Sequence, residues 1–302
     1  MSLLKNAFIA GAIFLGTAGF AIADPVTFAT ASDDVTLDAA PERIVALDVA
    51  AIDTLVALGI TPGGVVSPTF VSYLPASVEA STSVGTFFEP DLEKIAGLGP
   101  DLIVVGSRAL AMADALGKIA PVADMSVGTD AYRDGLARLR AYGQMLNKMP
   151  EAEALASALE ARAAQLRSQI QARGGSALIL MTNGPKLSVF GPNSRFGWLH
   201  TELGFSPAVE GITENRHGEA VSFEYIAKAN PDWLLVVDRA AAIGDGAGAA
   251  QATLDTPLIA ETSFAKAGQI IYLSPAELYI ASGGVTSLGR TMDEVAAALN
   301  QH

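Results

Sequence analysis

The sixteen residues Glu93-Lys-Ile-Ala-Gly-Leu-Gly-Pro-Asp-Leu-Ile-Val-Val-Gly-Ser-Arg108 recur in altered form as Glu224-Tyr-Ile-Ala-Lys-Ala-Asn-Pro-Asp-Trp-Leu-Leu-Val-Val-Asp-Arg239. At a constant offset of 131 positions the two stretches share Glu, Ile, Ala, Pro, Asp, Val and Arg. Each has a helix-like start, turns at Pro-Asp and continues as a short apolar run that is typical of a buried strand. An internal repeat indicates duplicated structural units, so the sequence predicts two lobes of similar topology.

Strands and helices alternate on both sides of the repeat. Short apolar runs at residues 44–47, 102–105, 177–181 and 270–273 are bounded by turn-forming residues or helical patterns, which predicts buried strands. Strands that alternate with helices form parallel sheets covered by helices. We therefore expect an α/β protein in which each lobe is a mostly parallel sheet with flanking helices.

A single long helix is predicted between the two lobes. Residues 151–173 contain neither Gly nor Pro and are rich in Ala, Glu, Leu, Arg and Gln, which are strong helix formers. We expect an N-terminal lobe at residues 24–150, this connecting helix at residues 151–173 and a C-terminal lobe at residues 174–302, with a ligand cleft between the lobes. The alternative is an ordinary surface helix of one domain.

Composition excludes several functions. The chain has 302 residues, of which 50% are hydrophobic and 17% charged, so it is too large for one small core and too apolar to be disordered. The excess of 32 acidic over 19 basic residues gives a net charge of −13, and we expect no binding of nucleic acid. The chain contains no cysteine, which excludes disulfides, thiolate metal sites and a lipid-modified N-terminal cysteine.

The N-terminus has the pattern of a signal peptide. Lys5 precedes an apolar stretch at residues 7–22, and Ala21-Ile22-Ala23 has the small residues that signal peptidase accepts. The alternative is a membrane anchor, but glycines interrupt this stretch and it is short for a membrane span. We expect residues 1–23 to be removed after Ala23, which leaves a soluble periplasmic protein without a lipid anchor.

Two arginines follow the predicted strands of the repeat. Arg108 and Arg239 stand just beyond the carboxyl ends of their strands, where parallel sheets bind ligands. A guanidinium group is always charged and suits oxyanions, so the pair predicts an anion site in the cleft. The alternative is that each arginine caps a strand end or pairs with a nearby carboxylate such as Asp238. At the other end of each unit, Glu93 and Glu224 either complement a helix dipole or form two acidic knobs that dock on a basic, two-fold partner.

The few histidines and one tyrosine complete the candidate residues. His200 lies two residues after Trp198 in a segment predicted to pack inward, and His302 is terminal, whereas His217 lies in a polar loop. No second histidine follows His217 at metal-ligand spacing, which argues against a zinc site built by the protein. Tyr279 is predicted in a loop before the last helix, either with an exposed phenol or packed against that helix.

Enzyme signatures are absent from the sequence. It has no GxSxG, Walker A or CxxC motif, and the loose GxGxxA match at residues 244–249 lies beyond the preceding strand. We therefore expect a protein that is not an enzyme. One alternative is an exported hydrolase that uses His217 with Ser222, and another is an exported structural protein without a ligand.

The order of motifs along the chain resembles the periplasmic binding proteins of ABC importers for ferric siderophores, a helix-hinged class related to vitamin B12 and haem binders. The resemblance rests on the signal peptide, the long central helix and the segments Pro41-Glu-Arg-Ile-Val-Ala-Leu47, Gly85-Thr-Phe-Phe-Glu-Pro-Asp-Leu-Glu-Lys-Ile95 and Pro100-Asp-Leu-Ile-Val-Val105. The catecholate branch is indicated by Ser194-Arg-Phe-Gly-Trp198, Asn215-Arg-His-Gly218 and Leu278-Tyr-Ile-Ala-Ser-Gly283.

This resemblance implies a role for each candidate residue. Arg108, Arg195 and Arg239 would surround an anionic ferric complex, and His217 and Tyr279 would complete the iron coordination of a tetradentate siderophore. Fe(III) would be cargo carried in the siderophore complex, and no permanent cofactor is expected.

The resemblance also implies a partner. Glu93 and Glu224 would contact the two permease subunits of an inner-membrane ABC importer, and we expect the binding protein itself to be a monomer. A haem or cobalamin carrier of the same fold is the alternative. Phe87 and Phe88 stand where polar residues are common in the family, which leaves the choice of ligand open.

Overall fold

The computed structural model describes residues 24–213, 217–246 and 249–301. The predicted signal peptide, His302, two residues of the Asn215-Arg-His-Gly218 motif and part of the segment 244–249 lie outside the described residues.

Thirteen strands occur in the described part of the chain. They are Val26–Phe28 (β1), Val35–Leu37 (β2), Ile44–Ala46 (β3), Gly64–Val65 (β4), Thr82–Ser83 (β5), Leu102–Val105 (β6), Val122–Asp124 (β7), Ser176–Asn183 (β8), Lys186–Phe190 (β9), Ser206–Pro207 (β10), Glu219–Val221 (β11), Trp233–Asp238 (β12) and Ile270–Leu273 (β13).

The α-helices of the same residues are Val49–Ala57 (α1), Ala76–Glu79 (α2), Leu92–Leu98 (α3), Ala113–Leu116 (α4), Ala131–Met145 (α5), Met149–Arg173 (α6), Trp198–Thr201 (α7), Phe223–Ala229 (α8), Arg239–Ala242 (α9), Ala249–Leu254 (α10), Pro257–Ala260 (α11), Ser263–Lys266 (α12), Pro275–Tyr279 (α13) and Val285–Gln301 (α14). A 3₁₀ turn at Leu110–Met112 precedes α4. No helix in the described ranges is long and apolar enough to span a bilayer.

The first lobe is built on a five-stranded parallel sheet in the order β5-β4-β3-β6-β7. Every residue of the neighbouring strands β3 and β6 is buried. A parallel strand covered on both faces by helices reads as a continuous apolar run, which explains why the sequence predicted these two strands. The predicted α/β fold, with two lobes and an interlobe cleft, is confirmed.

The second lobe has a mixed sheet in the order β11-β9-β8-β12-β13, with β10 beside the start of β8. Strands β8, β12 and β13 are parallel, whereas β9 is antiparallel to both β8 and β11. Only two residues, Gly184 and Pro185, separate β8 from β9, and Gly184 has φ +58°. A connection this short closes a hairpin and cannot form the crossover that a parallel pair needs.

The sequence repeat corresponds to a structural repeat. Helices α3 and α8 begin and end at positions exactly as far apart as the two sequence copies, and each is followed by a central strand. Their caps also correspond: Asp91 and Ser222 each accept from a backbone N–H three residues on, and Gly99 and Asn230 end the helices in the left-handed conformation. The two arginines therefore lie at the same edge of their respective sheets.

Helix α6 connects the lobes. Its 25 residues extend over roughly 37 Å and begin with Pro150 near the N-terminus. One stripe is buried, at the alternating spacing of four and three residues that keeps a single helix face inward: Ala152, Ala156, Leu159, Ala163, Leu166 and Ile170. This face packs on α5 and α14. The lobe boundaries at residues 150 and 174 stay a prediction.

The last helix returns from the second lobe to the first. Helix α14 packs against α1 and α6 as well as against α13 and β13. The carboxylate of Asp53 on α1 accepts hydrogen bonds from the backbone N–H groups of Thr286 and Ser287, at 2.8 and 2.9 Å, and from Tyr73 Oη at 2.6 Å. Asp53 is fully buried, so its carboxylate depends on these donors rather than on solvent for its hydrogen bonds.

We predict that Asp53→Ala lowers the free energy of unfolding by about 3 kcal/mol, because it leaves three donors without their buried acceptor. Tyr73→Phe removes a single hydrogen bond and keeps the ring, so we expect a loss of about 1 kcal/mol. Urea denaturation of both variants measures the two losses. Equal losses would show that Asp53 does not hold the start of α14.

Candidate functional site

A cavity of about 610 Å³ opens between the two lobes. Arg108 and Asp48 line it from the first lobe, just beyond the carboxyl ends of β6 and β3. Arg195, which lies between β9 and α7, lines it from the second lobe together with Ile280. The cavity thus lies at the sheet edge where open α/β structures bind ligands.

Three arginines converge on Tyr279 beside this cavity. Arg108 Nη2 and Arg195 Nη2 donate to the backbone carbonyl of Tyr279, at 3.0 and 2.8 Å. Arg239 Nε donates to the phenol oxygen at 3.3 Å. The contact of Arg108 crosses the cleft, since Arg108 belongs to the first lobe and Tyr279 to the second.

The position of Tyr279 differs from the predicted loop. It is the last residue of the five-residue helix α13, and its side chain is partly buried. This helix packs on α9, which begins with Arg239. The packing of two short helices, both at the carboxyl edge of the sheet, brings Arg239 to the phenol.

The ring of Tyr279 is also in contact with the cations. The guanidinium carbon of Arg195 lies 4.4 Å from the ring centroid, and that of Arg239 lies 5.9 Å away. A cation over an aromatic face is attracted by the negative potential of the ring. Arg239 is further held by a 3.4 Å hydrogen bond from Nη1 to Asn183 Oδ1.

These surroundings change the pKa of the Tyr279 phenol. Burial by itself raises the pKa of Tyr279, but the hydrogen bond from Arg239 and the charges of Arg195, Arg239 and Arg108 outweigh burial. The pKa of Tyr279 therefore lies below its ordinary value of 10.0. Positive charges stabilise the phenolate, which is the form that binds a hard cation.

Phe87 and Phe88 have different environments. Phe87 is buried and its ring lies 5.1 Å from the guanidinium carbon of Arg108, so it supports that side chain by packing. Phe88 packs on Phe87 with ring centroids 4.8 Å apart and is 66% exposed. The aromatic pair therefore extends from Arg108 to the surface.

The remaining predicted residues have other environments. His217 is exposed in the turn before β11, and Glu93 and Glu224 are exposed in the first turns of α3 and α8. His200 is buried next to Trp198, as its inward-packing segment predicts. The structure thus assembles the three arginines with Tyr279 and leaves His217 and both glutamates at the surface.

Side chains in the described ranges form no group of three or more His, Cys, Asp or Glu that could hold a metal ion. A cation at this site would need ligands of another kind, such as the Tyr279 phenolate.

Two residues of the site were missed by the sequence analysis. Asp48 lies just beyond the carboxyl end of β3, as Arg108 lies just beyond that of β6. The argument that identified Arg108 could therefore have identified Asp48 as well. Asn183 is the last residue of β8 and becomes informative only when Arg239 is known to lie beside it.

The chain belongs to the periplasmic binding protein family, whose model matches residues 44–277. The members of this family and the relatives of the chain are binding proteins.

Two curated relatives and one solved structure illustrate the similarity. The petrobactin-binding protein YclQ of Bacillus subtilis is 31% identical over 86% of this chain and 83% of its own length. The ferric-anguibactin-binding protein FatB of Vibrio anguillarum is 29% identical over 84% of this chain and 81% of its own length. The periplasmic catecholate-siderophore binding protein VctP of Vibrio cholerae aligns with a TM-score of 0.84 and 32% identity over 91% of this chain and 100% of that structure.

We predict that Tyr279 ionises at a lower pH than the other five tyrosines, all of which have raised pKa values. Phenolate absorbance during an alkaline titration should therefore rise in two phases, and Tyr279→Phe should remove the first. Arg239→Gln should shift that phase to higher pH, because it removes the hydrogen bond and one charge.

Ionisation of Tyr279 also makes the stability of the fold depend on pH, in the opposite direction from an acid whose pKa is raised by burial. Because the folded pKa is depressed, the stabilisation is present above the unfolded tyrosine pKa and is lost as the pH falls through the folded value. A single-phase titration, unchanged by Tyr279→Phe, would contradict the lowered pKa.

Proposed function

We propose that this protein is a periplasmic receptor that binds a ferric siderophore of the catecholate type and delivers it to an inner-membrane ABC importer. The observation that carries this proposal is the convergence of Arg108, Arg195 and Arg239 on Tyr279 beside the interlobe cavity. The receptor is not an enzyme, and it would be exported by means of residues 1–23 and remain without a lipid anchor.

Charge supports an anionic ligand. The whole chain carries a net charge of −13, so a cluster of three guanidinium groups is a local reversal of its overall field. Ferric complexes of catecholates are anionic, and guanidinium groups bind their oxygens well in a partly desolvated cleft. The names of the relatives agree, since they refer to petrobactin, ferric anguibactin and catecholate siderophores.

The arginines already donate to an oxygen atom. Arg108 and Arg195 share the carbonyl of Tyr279 as acceptor. Oxygens of a bound complex would compete for those N–H groups, and an anionic acceptor forms the stronger hydrogen bond. These hydrogen bonds to Tyr279 hold the guanidinium groups in place, which would reduce the entropy lost when they bind a ligand.

Iron coordination is assigned to Tyr279 and His217. Fe(III) is a hard cation that prefers oxygen donors, and a phenol with a lowered pKa is prepared to lose its proton to it. A tetradentate siderophore leaves two positions of an octahedral ion open, which a phenolate and an imidazole would fill. His217 is exposed in the turn before β11.

Docking is assigned to Glu93 and Glu224. The two residues occupy the first turns of corresponding helices, one in each lobe, and both are exposed. This symmetric pair fits a permease dimer that presents one basic residue from each subunit.

We predict that Tyr279→Phe and His217→Ala weaken the binding of tetradentate ferric catecholates by about 10- to 100-fold, because each variant removes a direct iron ligand. Hexadentate complexes need no protein ligand, so their affinity should change much less. Quenching of the fluorescence of the buried Trp198 and Trp233 measures both affinities.

Tyr272→Phe is the matched control, because it removes a phenol from β13 without touching the arginine cluster. Equal losses for the two denticities would contradict direct coordination. A Soret or corrin band on titration, in place of a catecholate-to-iron charge-transfer band, would instead identify a haem or cobalamin carrier.

We predict that the double variant Glu93→Ala, Glu224→Ala binds the ferric complex normally but lowers its uptake by more than tenfold, because both contacts to the permease are lost. Uptake of labelled iron by cells that depend on this receptor provides the measurement. Glu79→Ala, which removes another exposed carboxylate, should retain uptake. Normal transport by the double variant would refute the docking role.

A further inference from the structure

Asp48 supplies a carboxylate to a cavity that is otherwise lined by cations and neutral groups in the described part of the chain. Asp48 is half-buried and lines the cavity on the same side as Arg108. An acidic residue is unexpected in a cleft for an anionic complex, because the two negative charges repel each other across a partly desolvated space.

The carboxylate is held in a fixed place by the backbone. Asp48 is the N-cap of α1, where Oδ1 accepts a hydrogen bond of 3.0 Å from the N–H of Ala51. The other oxygen, Oδ2, lies against Gly106 at the end of β6, and a Cβ at position 106 would overlap it. A glycine at this position therefore makes room for the second oxygen.

The negative charge of Asp48 is incompletely compensated. No ion pair within 4.0 Å is found for Asp48 among the residues that the structure describes, although the charge of Arg108 acts on it. Burial raises the pKa of Asp48 despite Arg108 and the N–H groups of Ala51 and Ala50. A cation that entered the cavity would improve its electrostatic environment.

We propose that Asp48 forms a subsite for a protonated amine of the ligand, next to the arginines that receive the oxygens of the ferric complex. This inference rests on the proposed function and specifies its ligand: a ferric siderophore with an ammonium group in the chain that joins its metal-binding arms. Arg108 and Asp48 line the same wall, so a ligand that carries both charges would be bound in one orientation.

Other occupants fit Asp48 less well. A metal ion would need several oxygen ligands, and the described residues offer it no carboxylate cluster. A neutral amide donor would form a hydrogen bond but leave the carboxylate charge uncompensated beside an anionic complex. An ammonium group provides both the donor and the charge.

The test compares two ferric bis-catecholates whose linkers have equal length, one with a protonated secondary amine and the other with an ether oxygen. We expect the wild-type protein to bind the amine complex about tenfold more tightly, as one charge-assisted hydrogen bond allows. Asp48→Asn should lose this preference through weaker binding of the amine complex, with the ether complex bound equally or more tightly. Tryptophan fluorescence quenching measures all four affinities.

The variant is designed to keep the helix cap. Asparagine caps helices about as well as aspartate, so Asp48→Asn removes the charge and retains the acceptor for Ala51. Asp48→Ser, a second capping residue without charge, should behave in the same way. Asp91→Asn is the matched control: Asp91 Oδ1 accepts from the N–H of Lys94 at 3.0 Å but is not among the cavity-lining residues, so the preference should remain.

The outcomes separate this inference from the proposed function. If the wild-type protein binds neither ferric complex, the proposed function fails. If it binds both without preference, or if both capping variants keep the preference, only the amine subsite is refuted. Equal weakening of the two complexes by Asp48→Asn and Asp48→Ser would show that Asp48 acts only through α1, and this too would overturn the subsite.

Discussion

Three guanidinium groups lie around one tyrosine, and the mutual repulsion of their positive charges is the constraint that the cleft has to satisfy. The structure compensates this repulsion with oxygen acceptors and aromatic faces: the carbonyl and phenol of Tyr279, the amide of Asn183 and the rings of Tyr279 and Phe87. These acceptors and rings carry no formal charge. Three guanidinium charges gathered around one tyrosine are the reason that an anionic ligand is proposed for this site.

The position of Tyr279 depends in turn on how the lobes are joined. Helix α13, which ends with Tyr279, packs against α14, and α14 is fixed to the first lobe by the buried carboxylate of Asp53. The long helix α6 packs against α14 as well. These contacts connect the helix that carries Tyr279 to the first lobe, which carries Arg108.

Most of the fold could be predicted from local signals. Strands β6 and β13 lie at the predicted residues, because continuous apolar runs bounded by turns leave few alternatives. The repeat predicted the matching geometry of Arg108 and Arg239, since two chemically similar units fold alike. The hairpin of β8 and β9 was not predicted as such, because the strand pattern of the second lobe does not by itself distinguish parallel from antiparallel neighbours.

The site was less predictable than the fold for a physical reason. A helix of five residues such as α13 has no stability of its own, so it forms only where tertiary contacts hold it, and no local pattern indicates it. The carbonyl of Tyr279 is a backbone group that every residue has. Its role as a shared acceptor therefore cannot be predicted from the residue type.

The second role proposed for Asp48 could not be predicted from the sequence either. Its role as the N-cap of α1 is sufficient to explain an aspartate at this position. Only the structure shows that the same residue lines the cavity.

The local and overall charges of the protein act at different distances. Ionic screening reduces the field of the acidic surface over about 8 Å at physiological ionic strength, whereas groups within a partly desolvated cleft interact at closer range and with less screening. An anionic complex at the proposed site would interact mainly with the nearest charges, those of the three arginines and Asp48, and the more distant surface carboxylates would contribute little. The surface charge remains available for another purpose. In the proposed docking role, one exposed glutamate on each lobe would meet a basic partner without weakening the proposed anion site, because the two ends of each β/α unit carry opposite charges.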